Sequence, residues 1–104
     1  MKLRYTPRAL EQLSAIHDFI RDEYGNPRAA KRVTDAIVTQ RASLKDFPES
    51  GTTLRVRFGL DTDIRYLVCA GYMIFYRVEG DYVSIGAVIH GKTDYLHILF
   101  GNDQ

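Results

Sequence analysis

The chain has 104 residues and a mass of 11.9 kDa, with 45% apolar and 26% charged residues. A chain of this mass buries about two thirds of the roughly 17,000 Å² it exposes when open, which supports one core and excludes two; a single domain is expected over residues 1–104. With 14 Lys and Arg against 13 Asp and Glu, the net charge of +1 excludes a strongly cationic nucleic-acid binder while leaving room for a local basic patch.

Lys2 to Tyr5 alternates polar and apolar residues and predicts a short first strand. Thr6-Pro7 is a helix start, since Thr caps well and Pro has no N–H to leave unpaired in the first turn. Leu10, Leu13, His17, Ile20 and Tyr24 then recur at spacings of three and four, predicting one apolar stripe that Gly25 closes. Asn26-Pro27 repeats the start signal. A second stripe follows through Ala30, Val33, Ile37, Gln40, Leu44 and Phe47, ended by Pro48. Two stripes around a Gly-Asn-Pro break predict an antiparallel helical hairpin.

From Thr53 the period becomes two, and strands are predicted over Thr53–Phe58, Ile64–Ala70, Tyr72–Val78 and Tyr82–Ile89. Gly80-Asp81 fits a type II′ hairpin turn. Simple alternation from that turn pairs Val78 with Val83, Tyr76 with Ile85 and Ile74 with Ala87 on one face, which the helical hairpin covers. The other face carries Met73, Phe75 and Arg77 against Ser84, Gly86 and Val88. It is too apolar for water, so the tail Tyr95–Phe100, or a partner, is expected to cover it. The fold class is α+β: an N-terminal strand, a helical hairpin on one face of a four- to five-stranded mostly antiparallel sheet, and a short C-terminal helical turn.

Cys69 is the only cysteine, which rules out an internal disulfide. Together with a start, Met1–Tyr5, that lacks an apolar signal core, it points to a reducing compartment, and a cytoplasmic protein is expected. No run approaches the ~20 apolar residues of a membrane helix, and no membrane partner is expected. One Cys and three scattered His (His17, His90, His97) predict no metal site, and without a phosphate-binding glycine motif or nucleophile elbow no cofactor is expected. His17 reads as a core-edge histidine, and Cys69 as a small apolar filler.

Charge is uneven. Residues 1–57 hold 11 Lys/Arg and 7 Asp/Glu, net +4, whereas residues 58–104 hold 3 and 6, net −3. Arg28, Lys31 and Arg32 share one helical quadrant, a solvated face with Asp35 as ion partner or a contact for phosphate or an acidic partner. Arg55 and Arg57, on one predicted strand face with Arg65 and Arg77 nearby, form either strand-edge charge or a basic sheet face for RNA phosphates. His90-Gly91-Lys92-Thr93-Asp94-Tyr95 is a strand exit capped into a helix, or a site where His90 moves a proton, Lys92 offsets phosphate charge and Tyr95 assists.

The order of these elements resembles the RelE/ParE superfamily of toxins from type II toxin–antitoxin systems, the plasmid-stabilisation proteins. The likeness rests on Tyr5-Thr6-Pro7-Arg8-Ala9, Gly25-Asn26-Pro27-Arg28-Ala29-Ala30, Phe47-Pro48-Glu49-Ser50-Gly51, Gly71-Tyr72-Met73-Ile74-Phe75-Tyr76 and Val88-Ile89-His90-Gly91-Lys92, which span nearly the whole chain. It implies a cognate antitoxin that wraps and neutralises the protein and contacts DNA on its behalf; Met73, Phe75 and Arg77 are the expected antitoxin-binding residues. The RelE-like branch cuts mRNA on the ribosome with basic residues and a Tyr or His, whereas the ParE-like branch inhibits DNA gyrase. Where the ribonuclease branch commonly has Arg after Gly-Tyr, this chain has Met73; where that branch has Gly-Lys-Arg, it has Gly91-Lys92-Thr93. Two guanidiniums that would hold a scissile phosphate are therefore missing. The chain looks closer to the ParE branch, an inhibitor of growth acting on gyrase or a related topoisomerase rather than an enzyme. The alternative is a ribosome-dependent mRNA endonuclease, with the ribosome and mRNA as partners and Arg65, His90, Lys92 and Tyr95 as its catalytic set.

Overall fold

A computed structural model describes residues 1–101. The elements run β1 (Lys2–Tyr5), α1 (Pro7–Glu23), α2 (Pro27–Ala42), a 3₁₀ turn (Ser43–Lys45), β2 (Thr52–Thr53), α3 (Leu54–Phe58), β3 (Arg65–Cys69), β4 (Tyr72–Glu79), β5 (Tyr82–His90) and α4 (Tyr95–Phe100). The strands form one sheet in the order β1-β5-β4-β3-β2, with β1 parallel to β5 and every other pair antiparallel. The expected α+β architecture is present.

Both helix starts behave as their residues dictate. Thr6 Oγ1 accepts the Ala9 N–H at 3.2 Å and Asn26 Oδ1 the Ala29 N–H at 3.0 Å, each with Pro at the first helical position. Gly25, at φ +58°, turns the chain between them. The helical hairpin and the 3₁₀ turn after it bury Ala9, Ile37 and Leu44 against Ile74, Tyr76, Val83, Ile85 and Val88. The stripe on α1 is shifted from its predicted line: Ala9, Leu13, Ile16 and Ile20 face inward, while Leu10 and Tyr24 are exposed. Phe47, just beyond the 3₁₀ turn, is exposed as well.

Two departures from strand alternation shape the other face. The segment Leu54–Phe58 is a helical turn, not the continuation of a strand. Thr53 Oγ1 caps it by accepting the Val56 N–H, and Gly59 closes it in the left-handed region at φ +70°. A strand would have turned Leu54, Val56 and Phe58 to one side. The helix instead aligns Leu54 with Phe58, four residues on, and leaves Val56 80% exposed. Arg55 and Arg57 therefore do not share a strand face; Arg55 pairs with Asp61, and Arg57 lies over the Phe58 ring.

The second departure is a β-bulge. Val83 and Ile85 pair with Val78 and Tyr76 as expected, but Ala87 pairs with Phe75 and Val88 with Ile74. Gly86 is the extra residue. Its carbonyl accepts from Thr6 Oγ1 at 2.9 Å, so the bulge sits where β1 hands over to α1. The bulge sends Val88 into the helix-covered core and Ala87 and Ile89 to the outer face, the reverse of simple alternation. Among the described residues no helix is long and apolar enough to cross a membrane.

Candidate functional site

The outer face of the sheet is where the sequence pointed for partner contact. Met73, Phe75, Ala87 and Ile89 form its apolar floor, with Leu54 buried against them. Phe58, Leu60, Ile64 and Tyr66 cover this floor from one side, and Tyr95 and Leu99 of α4 from the other. Tyr95 stacks 5.6 Å from the Phe75 ring and 6.1 Å from Phe58. The tail thus covers the face as expected, and completely enough that Phe75 is 1% and Met73 6% exposed.

Cover stops short at the lower end of β4. A groove of about 250 Å³ opens there between Phe75, Arg77, Ser84 and Gly86 of the sheet and Leu99 and Phe100 of α4. Of the three expected antitoxin-binding residues, only Arg77 is exposed, and Phe75 reaches the groove as its floor. Arg77 donates through Nε to Asp63 Oδ1 at 3.0 Å, and Nη2 bonds the same oxygen. That hydrogen bond, against a smaller opposing effect of burial, holds the Asp63 carboxyl below its ordinary value. A carboxyl lowered in the folded state adds stability above its unfolded pKa and loses it as pH falls through the lowered value. The Arg77→Gln variant should return Asp63 toward an ordinary carboxylate pKa, read by NMR titration of its side-chain carbon, with a stability change under about 1 kcal/mol because the pair is exposed.

The four residues of the ribonuclease alternative are distributed over both faces. Arg65 pairs across the strands with Tyr76, and its Nη1 donates to the carbonyls of Gly51 at 2.9 Å and Glu49 at 3.2 Å. It clamps the 49–51 loop. His90 pairs with Tyr72, four residues further along β4 and on the far side of it. Strand geometry separates the Arg65 and His90 backbones by about 13 Å along β4 and about 10 Å across it. His90 Nδ1 accepts the Lys92 backbone N–H at 3.0 Å, and its ring stands edge to face with Tyr72 at 5.1 Å. The Lys92 ammonium has no ion partner among the described residues, and Tyr95 lies on the opposite face of the sheet against Phe75. Only His90 and Lys92 are neighbours. General acid–base work requires its groups within about 3 Å of the same reacting atoms, a condition this set does not meet.

Several of the remaining charges are paired. A polar cleft of about 470 Å³ at the β2–β3 edge is lined by Arg55 and Arg65. Arg55 faces Asp61 at 3.0 Å and Arg65 lies 3.8 Å from the Glu49 carboxylate, so each guanidinium has a carboxylate beside it. On α2, Lys31 pairs with Asp35 at 2.6 Å, which supports the solvated-face reading, while Arg28 and Arg32 stay exposed. His17 is half-buried beside Asp18, and Cys69 packs partly buried against the helix-covered core. Among the described residues no group of three or more His, Cys, Asp or Glu is placed to hold a metal ion.

What the sequence reading missed is a pair of exposed rings, Phe19 and Tyr24, edge to face at 5.7 Å. The spacing of three and four predicts Tyr24 in the core stripe, yet it is exposed. The signal lay in Phe19, a large apolar residue that no spacing of three or four joins to the predicted line Leu10, Leu13, His17, Ile20 and Tyr24.

Comparison with known proteins agrees with this architecture. A chain from a solved structure described as the chromosomal ParDE toxin–antitoxin system from P. aeruginosa is similar over 86% of this chain and 95% of that one, with a TM-score of 0.71. At 24% identity that likeness shows the shared fold. Among curated proteins no sequence relative matches. The family model of the ParE toxin of type II toxin–antitoxin systems matches residues 3–95, from the first strand through the strand exit to the start of α4. The chain therefore belongs to the ParE toxin family.

Proposed function

We propose that this protein is a toxin that acts by binding, inhibiting DNA gyrase or a related topoisomerase, and that a cognate antitoxin neutralises it in the cytoplasm. The observation that carries this reading is the scatter of Arg65, His90, Lys92 and Tyr95 over two faces and two ends of the sheet. Three of the four have a structural task instead: Arg65 holds a loop, His90 receives the turn that follows it, and Tyr95 seals the outer cluster. The missing arginines at Met73 and Thr93 weaken phosphate binding further. Membership of the ParE toxin family supports the same branch.

Purified protein should inhibit supercoiling by purified gyrase in a dose-dependent way, while transcripts mapped after induction stay intact. Cleavage of mRNA within minutes of induction, with gyrase unaffected, would overturn the inhibitor reading. Substituting His90→Ala should leave growth arrest within a factor of about three.

A further inference from the structure

The polar cleft of about 470 Å³ at the β2–β3 edge has no part in the toxin reading, and hydrogen-bond donors gather around it. Thr53 and Arg65 pair directly across β2 and β3, so their side chains rise on one face of the sheet about 5 Å apart. Arg55 follows Thr53 into α3, and Thr62 enters from the loop ahead of β3. Arg65 Nη1 donates to the carbonyls of Gly51 and Glu49, which fixes the guanidinium before any ligand arrives. Its Nε and Nη2 make no hydrogen bond among the described residues. The Glu49 carboxylate lies 3.8 Å from Nη2, beyond hydrogen-bond reach.

The two threonines are set in the same way. Thr53 Oγ1 accepts the Val56 N–H at 3.1 Å, and Thr62 Oγ1 accepts the Ile64 N–H at 3.3 Å. A hydroxyl whose oxygen is occupied by a backbone N–H still has its own proton to donate, and neither proton has an acceptor among the described residues. Arg55 meets Asp61 through Nη2 alone, in an exposed pair that an incoming anion displaces at little cost. Of the two carboxylates lining the cleft, Asp63 is held by Arg77 Nε at 3.0 Å, and the Glu49 side chain is 82% exposed. Two guanidiniums and two hydroxyls therefore converge with hydrogens to spare. Donors arriving from several directions suit a tetrahedral oxyanion, whereas a planar carboxylate is satisfied by a single guanidinium fork. Pro48 and Val78 add an apolar wall, and the volume falls within the range of about 300–1,000 Å³ usual for small-molecule sites.

We infer that this cleft binds phosphate, as the free ion or as the phosphate group of a small ester, with Arg55, Arg65, Thr53 and Thr62 donating to its oxygens. The site stands independently of the toxin–antitoxin reading. Inorganic phosphate, adenosine 5′-monophosphate and acetate, titrated into the full chain at constant ionic strength, test it through the backbone amide shifts of Thr53, Arg55 and Thr62. Phosphate and the nucleotide should move these amides saturably, and acetate should bind at least about tenfold more weakly. A nucleotide that binds more tightly than phosphate gives the site to an ester lying against Pro48 and Val78; phosphate binding as tightly or more so gives it to the free ion. Arg55→Gln and Thr62→Val should each weaken binding about tenfold, as loss of a donor to a charged acceptor does. Thr62→Ser, which keeps the hydroxyl, should bind within about threefold of wild type, as should Arg57→Gln, whose guanidinium lies over the Phe58 ring. Glu49→Gln should tighten binding about threefold by removing a like charge from the rim, and less at high salt. Arg55→Gln and Glu49→Gln alter exposed side chains and should leave circular dichroism and the denaturation midpoint unchanged. The inference is overturned by the absence of saturable shifts, by acetate binding as tightly as phosphate, or by affinity that survives both Arg55→Gln and Thr62→Val. Equal weakening in Arg57→Gln and Arg55→Gln overturns it too, since that marks diffuse charge attraction without a site.

Discussion

Truncating Phe75 to Ala should lower the unfolding free energy by about 3–5 kcal/mol, while Arg77→Ala two residues on should cost less than about 1 kcal/mol. Phe75 is 1% exposed and touches rings on both sides, Tyr66 at 6.3 Å and Tyr95 at 5.6 Å. Its removal leaves a void that the neighbouring strands cannot close, because Ala87 directly opposite is too small to fill it. Arg77 stands in solvent with one carboxylate partner. A domain of this size is stable by about 5–15 kcal/mol, so the first change consumes a large share and the second very little. Urea denaturation of both variants measures the difference, and equal small losses would show that α4 and the Leu60–Tyr66 segment do not pack on Phe75 as described.

That contrast bears on how the family's binding surface is read. From the sequence, Met73, Phe75 and Arg77 appear as one outward-facing row awaiting a partner. In the folded chain α4 already covers the first two, and of the three only Arg77, beside the groove, is exposed. An antitoxin-binding defect in Phe75→Ala is therefore interpretable only beside its stability, whereas a defect in Arg77→Ala reads directly on contact.

The strands, the helical hairpin and the covering tail were legible in the sequence because each rests on a local rule: Thr6-Pro7 and Asn26-Pro27 as caps, Gly80-Asp81 as a turn, alternation in β4. The bulge at Gly86 was not, since a single unpaired residue leaves no trace in composition and is set by the Thr6 bonds reaching back from another element. Leu54–Phe58 misled for a different reason. Over five residues an alternating pattern and an i,i+4 pattern coincide, and only the capping Thr53 and closing Gly59 distinguish them. The site residues fared unevenly because type and spacing say nothing of which face a strand presents after a bulge, or which arginine a loop claims.

Gly51→Ala should cost about 2–3 kcal/mol, and its cause can be isolated by a double-mutant cycle with Tyr76→Phe. A methyl group at Gly51 would meet the Tyr76 hydroxyl at 2.5 Å, Tyr76 Cε1 at 2.8 Å and the Tyr66 carbonyl at 2.8 Å, with no room on any side. The glycine is required here by proximity, not by backbone twist. Tyr76 is 1% exposed, and its hydroxyl oxygen accepts the Gly51 N–H at 2.8 Å. Tyr76→Phe alone strands that buried N–H and should cost about 1–3 kcal/mol. In the Gly51→Ala background the same change also removes one clash, so the two losses should fall short of additive by about 1 kcal/mol; the ring carbon and the Tyr66 carbonyl still obstruct the methyl. Burial, partly countered by the Gly51 bond and the nearby Arg65, raises the Tyr76 phenol above its ordinary value. A group raised in the folded state contributes fully below its unfolded pKa of about 10 and loses that contribution as pH rises through the raised value. Wild-type stability should therefore decline above pH 10 more steeply than that of Tyr76→Phe, with the remaining slope owed in part to Tyr72, raised likewise by burial. Parallel alkaline slopes in the two proteins would mean that the Tyr76 hydroxyl is not held against Gly51 in the interior.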